Sequence, residues 1–214
     1  MNEDIVILDY KLSNLFSVNH ACLHVGLKPK VSSNKKDLLN AKAIILPGVG
    51  AFGDAMKNLE KLDLISPLIT KVQMGVPLFG ICLGLQLLFE ESEEFGFHKG
   101  LGLIKGEVKK FPNKINMNKI KVPNIGWCKI YNNNINKWDD TLLEGVEQNS
   151  FMYFVHSYYV SPEQNEDILT LTNYEEFEYC SSVKKGNISA FQFHPEKSGE
   201  IGLSIYNNIK IALQ

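Results

Sequence analysis

The sequence predicts an α/β fold, a doubly wound and mainly parallel sheet with a smaller antiparallel or mixed β portion in the C-terminal half. Three observations carry this. Up to Gly100, short apolar runs alternate with segments of helical periodicity, the pattern of a parallel sheet covered by helices on both faces. After Gly100 the texture changes to short strands separated by Asn- and Lys-rich connections. The chain has 214 residues and is 44% hydrophobic, enough to bury the core of a single domain over 1–214 without disulfides or a structural metal.

Each element has its own signal. Ile5–Leu8 is a continuous apolar run and reads as a buried strand; 14–25 then has helical spacing and is closed by Gly26, completing a βα unit. Residues 28–31 read as a second strand, 35–40 as a short helix, 43–46 as a third strand and 52–62 as a further helix. The step repeats with a helix at 67–74, a strand at 77–81 and a helix at 83–91. Beyond Gly100, 106–111 and 152–160 read as strands, and the biased stretch 113–137 as a solvated loop or hairpin. Ile201, Ile205 and Ile209 fall at i, i+4 and i+8, so 200–213 closes the chain as an amphipathic helix.

Composition excludes several functions. A formal net charge of -2, from 22 basic and 24 acidic residues, offers no field for a nucleic acid backbone or an anionic membrane. Small substrates and protein partners are expected instead. All 22 basic residues are Lys, so anions must be held by ammonium groups or backbone N–H groups rather than a guanidinium fork. Cys22, Cys82, Cys128 and Cys180 are widely spaced without a CxxC, which argues against a zinc ribbon or a disulfide scaffold and for a reducing, cytoplasmic setting. The N-terminus, 1–8, is acidic and its apolar run Ile5–Leu8 is too short for a signal peptide or a membrane span.

The sharpest local motif is Gly80-Ile81-Cys82-Leu83-Gly84, between an apolar strand and a helix. This is the form of a nucleophile elbow, in which flanking glycines keep side chains out of a strained bend. A thiol at a helix N-terminus meets unpaired N–H groups and the positive end of the dipole, both of which favour thiolate. A buried structural cysteine is the alternative, and it is the reading for Cys22, Cys128 and Cys180.

A base is sought among five histidines. His20 and His24 form an i, i+4 pair on an early helix but lack the acidic context of a metal site, so they read as surface or packing residues, and His98 as a loop residue. His194 follows the short strand 191–193 and enters a turn set by Pro195, with Glu196 placed to orient the imidazole; a satisfied core histidine is the rival reading. Gly48-Val49-Gly50-Ala51-Phe52-Gly53 matches the GxGxxG dinucleotide pattern, which raises a Rossmann oxidoreductase. The match is poor, because the motif follows the third strand rather than the first, Pro47 precedes it, and Asp63 ends a helix rather than a strand. A loop whose N–H groups join that of Leu83 in stabilising an oxyanion formed at Cys82 suits it better.

Taken together, Pro47-Gly48-Val49-Gly50-Ala51-Phe52-Gly53-Asp54, Gly80-Ile81-Cys82-Leu83-Gly84-Leu85-Gln86-Leu87-Leu88 and Gln192-Phe193-His194-Pro195-Glu196-Lys197-Ser198 strongly resemble the class I glutamine amidotransferases, nearly end to end. Within them the chain is most similar to the glutaminase subunits of imidazole glycerol phosphate synthases, through Asp9-Tyr10, Asn14-Leu15, Gly126-Trp127 and Tyr153-Phe154-Val155-His156-Ser157-Tyr158-Tyr159. The resemblance implies a flavodoxin-like sheet, a triad of Cys82, His194 and Glu196, and an oxyanion hole of Val49 or Gly50 with Leu83. It also implies a glutamine pocket including Gln86, Ser157 and Tyr158. No metal or cofactor is expected. The implied partner is a TIM-barrel cyclase, forming a heterodimer that Pro123, Asn124, Trp127, Tyr153 and Lys197 would face.

The chain departs from the family pattern in two places. Asp-Tyr-Gly-x-Gly-Asn-Leu-Arg-Ser-Val is replaced by Asp9-Tyr10-Lys11-Leu12-Ser13-Asn14-Leu15-Phe16-Ser17-Val18, losing two glycines and the arginine. Pro123-Asn124-Ile125-Gly126-Trp127-Cys128 stands for Pro-His/Gln-Met-Gly-Trp-Asn. These leave a second reading open, a paralogue supplying ammonia to another synthase such as one amidating a surface sugar. A non-catalytic module of the same fold is a third, opposed by the intact triad.

Overall fold

The computed structural model describes residues 5–115, 118–134 and 137–214. Residues 1–4 of the acidic N-terminus, and 116–117 and 135–136 of the biased stretch, lie outside the described residues. The first half runs β1 (Ile5–Leu8), α1 (Leu15–His24), β2 (Lys30–Ser32), α2 (Lys35–Asn40), β3 (Ala43–Gly48), α3 (Phe52–Lys61), α4 (Ile65–Gln73), β4 (Leu78–Cys82) and α5 (Leu83–Gln86). The second half has β5 (Glu91–Ser92), β6 (His98–Lys99), β7 (Gly106–Lys110), β8 (Lys114–Ile115), β9 (Asn118–Lys119), β10 (Asn124–Lys129), β11 (Phe151–His156), β12 (Tyr158–Pro162), β13 (Ile168–Tyr174), β14 (Phe177–Lys185), β15 (Ile188–Phe191) and α6 (Gly199–Ala212).

Among the described residues eleven of these strands form one sheet in the order β2-β1-β3-β4-β15-β14-β12-β7-β5-β6, with β13 added on β14, while β10 pairs with β11 and β8 with β9 in two separate two-stranded sheets. From β2 to β15 the neighbours are parallel, and from β14 onward the pairing is mostly antiparallel. The parallel part is doubly wound because its strands alternate. Val6, Leu8, Ile44 and Leu46 pack into one core with residues of α2, α3 and α4, while Ile5, Ile7, Ala43 and Ile45 pack into the other with α1 and α6.

The structure corrects several expected boundaries. The helix expected at 83–91 is only Leu83–Gln86. The carbonyls of Leu87, Leu88 and Phe89 accept from the N–H groups of Leu101, Leu103, Ile104 and Gly102, so they are not free to extend an α-helical ladder. The strand expected at 152–160 is two, broken at Ser157, where the chain leaves the β10–β11 pair and joins the large sheet as β12. The expected loop or hairpin at 113–137 holds the short antiparallel β8–β9 pair, but 124–129 within it is β10, paired along its length with β11. The strand expected at 191–193 ends earlier, as β15.

Candidate active site

β3, β4 and β15 are adjacent and parallel, so their C-terminal ends open on one edge, where ligands bind in open α/β sheets. The register pairs Gly48 with Cys82 and Phe191 with Ile81. Cys82 therefore lies beside the 48–53 loop on one flank and the His194 turn on the other. Its φ of 55° is in the left-handed region, which for a side chain other than glycine marks stored backbone strain at an elbow. Close packing accounts for the glycines around it: a Cβ on Gly84 would stand 1.8 Å from the Leu46 oxygen, and one on Gly48 would stand 2.1 Å from the Tyr10 hydroxyl. Gly53, the last glycine of the GxGxxG match, lies against the His98 ring, a packing role.

His194 and Glu196 flank Pro195 at the start of a single 3-10 turn, and Nδ1 meets the Glu196 Oε1 at 2.7 Å with both side chains buried. The main chain of the turn is tied to β11: His194 N–H donates to the Tyr153 carbonyl at 2.9 Å, and Tyr153 N–H to Ser198 Oγ at 3.0 Å. Asn14 Nδ2 reaches the same carboxylate oxygen at 3.4 Å. His194 Nε2 is buried without a hydrogen-bond partner among the described residues, on the side of the ring turned from Glu196. Burial alone would lower the His194 pKa, but the Cys82 sulfur and then the Glu196 carboxylate override it and raise it to about 10. The pair is thus arranged to hold an imidazolium beside the thiol. Burial pushes the Cys22 thiol up to about 12 and raises Cys128 and Cys180 as well, which fits inert structural cysteines.

A cavity of about 320 Å³ opens over Cys82, lined by Val49, Gly50, Leu83, Gln86, Glu94, Pro123, Ser157, Tyr158 and His194 among others. It therefore gathers the nucleophile, the base, the oxyanion loop and all three pocket residues expected from the sequence. Gln86 Nε2 donates to the Tyr158 carbonyl and to Gln192 Oε1, each at 3.0 Å, leaving the Gln86 oxygen to a ligand. Glu94 is a wall that the sequence reading missed. It accepts the Phe52 N–H at 2.6 Å, and burial raises its pKa. Gln192 was missed too, although it precedes His194 by two residues and is fully buried. A larger cavity of about 540 Å³ lies at the opposite, N-terminal ends of β4 and β15, lined by Pro77 and Asn187, far from this chemistry.

One expected role is not made in this conformation. Val49 N–H donates to the Leu12 carbonyl at 2.9 Å and so is not offered to an oxyanion at Cys82. Leu83, as the first residue of α5, has an N–H that a helix leaves without an internal partner. The departures at 11–13 shape this contact. Lys11 takes a φ of 74° where the family pattern has glycine, and both its N–H and its Nζ bind the Asp9 carboxylate, at 2.9 and 3.1 Å. Tyr10 Oη and Ser13 Oγ converge on the Pro47 carbonyl, at 2.6 and 3.4 Å. Phe16 is exposed and stacks on His20.

Of the residues expected to face a partner, Trp127 and Lys197 are exposed, Tyr153 is half-buried, and Pro123 is exposed at the cavity. Trp127 packs edge-on to Tyr153 at 5.9 Å, and Lys197 Nζ lies over the Tyr153 ring at 5.9 Å. Asn124 is a correction. It is fully buried, because strand alternation turns it inward, away from Ile125 and toward His156 and Tyr179.

The family profile of glutamine amidotransferase class-I matches residues 6–211. The "Imidazole glycerol phosphate synthase subunit HisH" of Aquifex aeolicus is 47% identical over 206 residues, covering 96% of this chain and 95% of that one. The protein of the same description from Methanosarcina barkeri is 47% identical over 207 residues, covering 95% and 96%. Among solved structures, "PurLQS from Thermotoga maritima" superposes with a TM-score of 0.73 at 19% identity, covering 98% of each chain, a likeness of fold.

Proposed function

The chain belongs to the class I glutamine amidotransferases and within them to the HisH subunits of imidazole glycerol phosphate synthase, and on that premise we propose that Cys82, His194 and Glu196 are the triad that hydrolyses its glutamine. The observation that carries the proposal is the buried 2.7 Å bond from His194 Nδ1 to Glu196, set beside Cys82 at the ends of adjacent strands. Cys82 attacks the side-chain carboxamide carbon, and the carbonyl oxygen takes up the charge. His194 gives its Nε2 proton to the departing ammonia, leaving a glutamyl thioester. His194 then removes a proton from water as it adds to the thioester, and glutamate leaves with Cys82 regenerated. Glu196 keeps the imidazole in the tautomer that directs Nε2 at the sulfur.

Gln86, Ser157, Tyr158 and Glu94 hold the substrate in the cavity. The pocket supplies acceptors, the Gln86 oxygen and the Glu94 carboxylate, for the ammonium and amide donors of glutamine. The oxyanion is received by Leu83 N–H together with Val49 or Gly50, which requires the Val49 N–H to leave the Leu12 carbonyl. The free chain is accordingly a slow glutaminase, activated by docking of its partner.

That partner is a TIM-barrel cyclase seated on Trp127, Tyr153, Lys197 and the Pro123 rim. It takes up ammonia before water protonates it. The test is the assembled complex with Cys82→Ala, which should lose glutamine-dependent synthesis yet keep synthesis from added ammonium salts. Loss of both would overturn the division of labour.

A further inference from the structure

Gln192 lies between β15 and His194, and its carboxamide is engaged at both ends. Nε2 is 3.7 Å from Cys82 Sγ, and Oε1 is 3.0 Å from Gln86 Nε2. One fixed point decides which end of each amide is which, since the Tyr158 carbonyl can only accept. It receives Gln86 Nε2 at 3.0 Å and His156 Nδ1 at 2.8 Å. The second hydrogen of Gln86 Nε2 then meets the Gln192 oxygen, so Gln192 must present N–H to the sulfur.

The same fixed point orders the other side. His156 donates from Nδ1, and burial, deepened by the charge of His194 and only partly offset by the Tyr158 carbonyl, holds its pKa down to about 4. A neutral ring leaves Nε2 as an acceptor, and it takes the Tyr179 hydroxyl at 3.1 Å. Asn124 Nδ2 donates to that hydroxyl at 3.2 Å, and the Cys128 thiol contacts the Asn124 oxygen at 3.7 Å. Two of the three departures from the family pattern on β10, Asn124 and Cys128, thus meet each other in this network.

We propose that Gln192 is a further catalytic residue, its Nε2–H stabilising the Cys82 thiolate, with its polarity set through Gln86 by the Tyr158 carbonyl. The proposal rests on the reading of Cys82 as nucleophile. A donor on an ionised acceptor forms one of the stronger hydrogen bonds. It acts twice. It raises the thiolate fraction before attack, and it receives the sulfur when the thioester collapses. In that step the C–S bond breaks, its electron pair returns to sulfur, and the proton taken from water stays on His194.

The experiment is the pH profile of iodoacetamide alkylation at Cys82, followed by mass spectrometry of the Cys82 peptide. Gln192→Met keeps the volume and loses the donor, so its rate at pH 7 should fall about tenfold and its midpoint rise by about one pH unit. At alkaline pH the rate should converge on the wild type, which a blocked or distorted site would not do. An unchanged midpoint, or a deficit equal at every pH, would overturn the proposal. If Cys82 of the wild type is alkylated no faster than Cys22, the nucleophile reading itself falls, a distinct result. A measurement on the wild type guards against variants that do not fold: the Gln192 side-chain amide NMR signal should move over the pH interval in which alkylation turns on, and a signal that stays still overturns the proposal.

Discussion

Two halves of the same site are in different states. The His194–Glu196 pair is buried, short and pinned to β11 through the His194 N–H, so the proposed base and its orienting carboxylate are built into the fold. The proposed oxyanion half is a surface loop, with Val49 39% exposed and its N–H committed to Leu12. The difference teaches where regulation can act. Packing that holds a triad cannot be altered cheaply, whereas one exchangeable backbone hydrogen bond, worth about 1 kcal/mol net, can be traded when a partner docks.

The comparison can be broken most severely at the triad. Cys82→Ala should lower glutamine turnover by at least about 10³-fold while the far-UV spectrum and partner binding persist. Glu196→Gln should cost about 10²-fold or more in kcat/KM, measured by glutamate release. Its pH dependence carries a sign. Glu196 and Cys82 raise the His194 pKa, and removing the carboxylate lowers it, so the alkaline limb of the kcat/KM profile should move to lower pH.

At the proposed docking face, Trp127→Ala should weaken partner binding about thirtyfold by calorimetry, the scale of an aromatic anchor, and leave the chemistry of the saturated complex little changed. The smallest effect sharpens the other half. Asp9→Ala frees Lys11 from an exposed ion pair and loosens the segment that presents the Leu12 carbonyl. Basal glutaminase activity should rise about two- to fivefold and stimulation by the partner should fall in proportion. Lower basal activity with unchanged stimulation would count against the Leu12 contact as the restraint.

What the sequence revealed follows the range of the interactions. The β1 and β4 runs, α6 and the elbow at Cys82 are encoded locally, by apolar runs and by glycines with no room for a Cβ, and were readable within one or two residues. The insertion of β15 beside β4 was not, because a strand parallel to one a hundred residues earlier leaves no local trace; yet that pairing is what brings His194 to Cys82. Glu94 lies in an acid-rich stretch where nothing marks the one carboxylate that turns inward. Asn124 was placed on the partner face by resemblance, and strand alternation in β10 reverses it. The break at Ser157 likewise depends on which strands are available to pair.

The central claim is that the thiol and its base stand ready while the oxyanion donor is withheld. It is tested most directly by measuring, on the free chain at pH 7, both the alkylation rate at Cys82 and glutamine turnover, with turnover repeated in the complex with the cyclase and its ligand. Cys82 should be alkylated far faster than Cys22 or Cys180, while turnover is low and rises about a hundredfold or more in the complex. A free chain that already turns glutamine over at the rate of the complex would contradict the claim.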